Sequence, residues 1–73
     1  MEDKIIKIIA DRTEQSLEYL RANQNVQGLW DSLQKVEIVL ALEEEFDLMF
    51  EPEEIESMLD IQAIVNLIQG KVE

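Results

Sequence analysis

The chain has 73 residues, no cysteine, no histidine and a formal net charge of −11. That length predicts one domain spanning 1–73, near the lower limit for a self-sufficient core. The missing residue types exclude disulfides and the usual zinc ligands, and the excess of acid argues against nucleic acid as a partner, because phosphates need cations to neutralise them.

The opening, MEDKIIKIIADR, holds an apolar stretch too short for a signal peptide and broken by Lys7. It reads instead as a helix from Glu2, with Ile5, Ile8 and Ile9 on one face, ending at about residues 11 to 14. Leu17 and Leu20 could extend the helical pattern, and Asn23 to Gly28 is a turn-rich loop.

Asp31 is a good N-cap for the next helix, and Gln34 completes a capping box. From Ser32 to about Glu45 or Asp47, Leu33, Val36, Val39, Leu40 and Phe46 recur at helical spacing, with Ile38 and Leu42 widening the stripe. So broad an apolar face predicts the central helix of a small bundle. Glu43, Glu44 and Glu45 close this helix, facing the negative end of its dipole and one another. Local stability would favour Lys or Arg there, and a broken local rule points to function.

Leu48, Met49 and Phe50 form an apolar connector. Pro52 suits the first position of a short third helix to about Met58, with Glu53, Glu54 and Glu56 at its positive end. Asp60 caps a last helix from Ile61 to about Gln69, with Ile61, Ile64, Val65 and Ile68 inward and Gly70 as its stop. The expected architecture is all-α, four helices with the third short, and no apolar run reaches membrane-spanning length.

The charge is unevenly spread. Asp31 to Asp60 holds eleven acids and one base, Lys35, for a net −10. A field of that kind predicts protein partners with basic patches and speeds encounter more than it tightens binding. It also predicts a domain stabilised by salt, by divalent cation or by mild acid.

Asp31-Ser32-Leu33 followed by VEIVLALEEEFD closely resembles the carrier-serine motif and second helix of acyl carrier proteins. The resemblance runs from about residue 28 to 68 and covers the first quarter loosely. It implies a four-helix bundle of acyl-carrier type with a long first loop. It further implies that Ser32 carries 4′-phosphopantetheine from coenzyme A, with Asp31 and Leu33 contacting the phosphopantetheinyl transferase that installs it. Without the resemblance, Ser32 would be an ordinary first-turn serine, Asp31 a cap and Leu33 a core edge.

The concentration of acid and its poor fit to the helix dipole make Glu37, Glu43, Glu44, Asp47, Glu53, Glu54 and Glu56 a candidate docking face. The resemblance implies that Glu37 and Glu44 meet Arg and Lys of basic acyl-transfer, synthase or acyl-activating enzymes. Val36, Val39, Leu40, Ile55, Met58, Leu59, Ile61 and Ile64 are most simply core, and by the same resemblance would also line a cavity for an acyl chain. Phe50 either plugs the end of the core or closes that cavity. No stretch matches the Asp-x-Asp-x-Asp-Gly calcium loop, so no metal site is expected. With no histidine, cysteine or glycine-rich phosphate loop, the chain is expected to tether substrate without catalysing its conversion.

One departure stands beside the motif. Family members commonly have Leu-Gly-x before the triplet, whereas here the order is Gly28-Leu29-Trp30. Trp30 either packs onto the first loop or rims the entrance, and the change favours a specialised carrier over a housekeeping one. The expectation is a stand-alone, monomeric, cytoplasmic acyl carrier without membrane insertion, serving fatty acid biosynthesis, other lipid metabolism or polyketide assembly. The alternatives are an aminoacyl or peptidyl carrier, and an unmodified acidic structural subunit.

Overall fold

The computed structural model describes residues 2–72, which form five helices and no strand. Helix α1 is Glu2–Thr13, α2 Leu17–Ala22, α3 Ser32–Phe46, α4 Pro52–Glu56 and α5 Ile61–Val72. Glu2 and Asp3 in the first turn of α1 and Arg12 in its last complement the helix dipole. The helix buries Ile5, Ile6 and Ile9, and stops where Glu14 turns left-handed at φ 57.

One helix more than expected lies between α1 and α3. The Ser16 side chain accepts a hydrogen bond from the Tyr19 N–H at 3.0 Å, which opens α2 as a local N-cap. Leu20, three residues after Leu17, is then driven fully into the core. The remaining loop is tied at two points. The Gln62 N–H donates to the Gln24 carbonyl at 3.0 Å, and the Gln15 amide donates to the Leu29 carbonyl at 2.7 Å.

The central element is α1 and not α3. It packs against α2, α3 and α5, because its isoleucines present a face wide enough for several neighbours. Helix α3 turns only Ile38, Val39 and Leu42 fully inward. The stripe expected to face the core is therefore split. Val39 is buried and Phe46 half-buried, but Leu33 is 70%, Val36 53% and Leu40 60% exposed. Leu59, also expected in the core, is 51% exposed. At 100° per residue Ile38, Leu42 and Phe46 share an arc opposite Leu33 and Leu40, so a helix can bury one set only. The nearby isoleucines of α1 select the first.

The α3 cap forms as the residues predict. The Gln34 N–H donates to the Asp31 carboxylate at 2.7 Å and the Asp31 N–H to the Gln34 side chain at 3.1 Å. Helix α4 begins at Pro52 and ends at Glu56, two residues before Met58. The Ala63 N–H donates to the Asp60 carboxylate at 2.8 Å, capping α5. That helix does not stop at Gly70 but continues to Val72. Its last turn is held by Lys71, whose ammonium lies 2.9 Å from Glu54 and 5.6 Å from the centre of the Phe50 ring.

Phe50, Met58, Ile61, Ile64, Val65 and Ile68 complete the core with α1, Leu20 and α3, and Ile55 packs against it half-buried. The Cα radius of gyration is 11.0 Å, matching the ~11 Å of a compact chain this long. No helix among the described residues is long and apolar enough to cross a membrane.

Candidate functional site

Ser32 is the first residue of α3 and is exposed. Its position is fixed from both sides. Behind it the capping box orients the first turn, and ahead of it the Gln15–Leu29 hydrogen bond holds the incoming loop. Gly28, at φ +82, adopts a conformation that suits glycine and turns the loop toward the helix.

A groove of about 250 Å³ opens beside the serine, lined by Gly28, Trp30, Ser32, Lys35, Met58 and Leu59 among others. Trp30 is half-buried, packing on the core and also lining the groove. Met58 is 1% exposed and joins the groove to the core. Lys35 is half-buried and makes no ion pair among the described residues.

The acids expected to form one docking face divide by what they touch. Glu37, Glu44, Asp47, Glu53 and Glu56 are exposed. Glu43 instead accepts a hydrogen bond from the Phe50 N–H at 3.0 Å, anchoring the connector. Glu54 accepts the Glu51 N–H at 2.7 Å and pairs with Lys71. The backbone hydrogen bond from Glu51, and then Lys71, hold its carboxyl below the ordinary value. Asp47 is exposed and also ends α3 in a left-handed conformation, φ 52.

The acidic end of α3 is therefore less anomalous than it reads in sequence. Glu45 pairs with Lys4 of α1 at 3.1 Å, and Glu43 caps a connector N–H. Glu44 is left with neither role, and it borders a groove between α1 and α3 that Lys4, Lys7 and Arg12 also line.

Sequence reasoning missed the apolar stripe on the outside of α3. Leu33, Val36 and Leu40 stand exposed on the same arc as Glu37 and Glu44, and Leu40, Glu37 and Glu44 line one shallow groove with Arg12 and Ala41. Helical spacing alone assigns Val36 and Leu40 to the core, because apolar residues so spaced usually belong there. Acid placement on the helical wheel gives no signal to separate them from the arc of Ile38, Leu42 and Phe46, because Glu45 lies as near Ile38 as Glu43 lies to Val36.

Of the nine residues proposed to line an acyl cavity, Val39, Phe50, Met58, Ile61 and Ile64 are buried, and Ile55 is half-buried. Val36, Leu40 and Leu59 lie outside. No family model matches the chain.

Proposed function

We propose that this protein is a carrier for acyl groups, modified at Ser32 by 4′-phosphopantetheine. The observation that carries the reading is the placement of Ser32. It is exposed at the head of a capped helix, beside a groove that Lys35, Asp31 and Gln27 line together with the apolar Trp30, Met58 and Leu59, and one step from an exposed apolar stripe bordered by Glu37 and Glu44. In this reading α1, α3, α4 and α5 are the four helices of an acyl-carrier bundle, and α2 is an additional turn within the long first segment.

The residues present fit the group. A reachable hydroxyl can take the phosphodiester, Lys35 offers a counter-charge, and Trp30, Met58 and Leu59 offer apolar surface. Loading would join the Ser32 oxygen to the phosphorus of coenzyme A bearing the pantetheine. The bond from that phosphorus to the departing adenosine bisphosphate breaks, and the serine proton leaves to the transferase or solvent. When bound, the group supplies the thiol that holds an acyl chain as a thioester, which a chain without cysteine cannot supply itself.

The protein's own residues would do three things. Asp31 and Gln34 hold Ser32 at the helix entrance. Leu33, Val36 and Leu40 give partners an apolar centre bordered by Glu37 and Glu44, and the exposed Asp47, Glu53 and Glu56 add to the acidic field. Such contacts are weak and salt-sensitive, as a carrier that must release its partners requires. The interior between α3, α4 and α5, reached past Met58, would shelter the acyl chain, with Met and Leu side chains repacking at low cost.

Incubation with coenzyme A, magnesium and a broad-specificity phosphopantetheinyl transferase tests the reading by intact mass. One phosphopantetheinyl addition is expected on the wild type and none on Ser32→Ala. A folded wild type that gains no mass would favour an unmodified interaction subunit, which the same apolar and acidic surface would also serve.

A further inference from the structure

We infer that the groove beside Ser32 is the resting seat of the arm's first segment, with Lys35 facing its phosphate and Trp30 covering the branched apolar part that follows. This rests on the carrier reading and goes beyond it, since it assigns roles to two side chains that the carrier motif does not contain.

Three observations converge. Lys35 is the one base between Asp31 and Asp60, and it lies three residues after Ser32, a spacing that places side chains next to each other on a helix. It is half-buried at the groove wall and pairs with no carboxylate among the described residues, although acids surround it in the sequence. An additional phosphate at Ser32 would bring negative charge into a stretch that already carries a net −10, and Lys35 is the cation placed to offset it.

Trp30 supplies the second half of the seat. It is half-buried against the core and lines the groove together with Met58 and Leu59. A rigid aromatic wall of this kind covers apolar groups at little entropic cost. Size limits the occupant. At about 250 Å³ the groove falls below the ~300–1,000 Å³ of pockets that enclose whole ligands. It holds the phosphate and the dimethyl-bearing segment and leaves the thiol end outside, free to reach partners. The larger groove between α1 and α3 mixes both signs, with Lys4 paired to Glu45 at 3.1 Å and Arg12 to Asp11 at 3.7 Å, and so favours a single anion less.

Trp30 is the only tryptophan, so its fluorescence reports the seat directly. Wild type, Lys35→Gln and Ser32→Ala are each incubated with coenzyme A and transferase and checked by intact mass. Emission, iodide quenching and the ³¹P spectrum are then recorded. On loading, Trp30 emission should move to shorter wavelength and quenching should fall. In loaded Lys35→Gln the ³¹P resonance should shift from its wild-type position, and part of the Trp30 protection should be lost. Ser32→Ala should show no change.

Wild type that gains the full mass while Trp30 emission and quenching stay as before overturns the seat and leaves the carrier reading standing. So does a ³¹P resonance indifferent to Lys35→Gln. A folded wild type that gains no mass overturns both.

Discussion

Leu40 and Leu42 lie two positions apart on one helix, yet they belong to different worlds. Leu42 is fully buried against α1, and Leu40 looks outward between Glu37 and Glu44. Leu42→Ala should cost about 2–5 kcal/mol, the usual range for a truncated core leucine, whereas Leu40→Ala should stay within ~0.5 kcal/mol. Urea midpoints of the two variants measure this, and equal losses would place the wrong arc of α3 inward. A second residue-scale prediction concerns Gly70, which is helical and whose added Cβ would meet nothing within 4 Å. Gly70→Ala should stabilise the domain by about 0.5–1 kcal/mol, because glycine loses more backbone freedom in a helix than alanine. A midpoint unchanged or lowered would mean that the last turn of α5 is not helical in solution.

At the scale of elements, the chain's punctuation was legible and its orientations were not. The Asp31–Gln34 box, the Pro52 start and the Asp60 cap rest on chemistry within four residues, and each occurs where the sequence places it. The arc of α3 that faces the core depends on which apolar set meets α1, a tertiary fact. Likewise α2 is too short to stand by periodicity alone and exists because Leu20 finds the core. Helix α5 passes Gly70 because Lys71 gains Glu54 and the Phe50 ring beyond it. The candidate site shows the same division. The helix entrance at Ser32 was legible from its cap and its candidate role only from the resemblance, while the groove beside it required loop and helices together.

The Lys71–Glu54 link ties α5 to α4, and it has a pH signature. The carboxyl of Glu54 is held below its ordinary value of 4.5. A lowered folded value means that the stabilisation is complete above the unfolded value and disappears as pH falls through the folded one. The stability difference between wild type and Glu54→Gln should therefore be constant near neutrality and shrink below about pH 4.5. Chemical melts of both proteins from pH 7 downward follow it. A difference that grew on acidification would reverse the sign assigned to Glu54.

For the molecule as a whole, charge is the dominant fact. A net −11 on a chain with an 11.0 Å radius of gyration places like charges within the reach of one another's fields. Adding salt should raise the melting temperature by about 5 °C, equivalent to ~1 kcal/mol in so small a domain. The effect is moderated because Glu43, Glu45 and Glu54 are already engaged by the Phe50 N–H, Lys4 and Lys71. A melting temperature indifferent to salt would show that the exposed acids are too far apart to repel, and the docking surface proposed for them would lose its field.

The proposed carrier role is tested most directly in the cells that make the protein, where any transferase that serves it would act. The chain is recovered intact, its mass is measured, and the peptide spanning Ser32 is fragmented. The account predicts the mass of one phosphopantetheine group, with or without an acyl chain on its thiol, and its elimination from Ser32 alone. A chain recovered wholly unmodified from cells whose other carriers are loaded, or a group found on another residue, would contradict it.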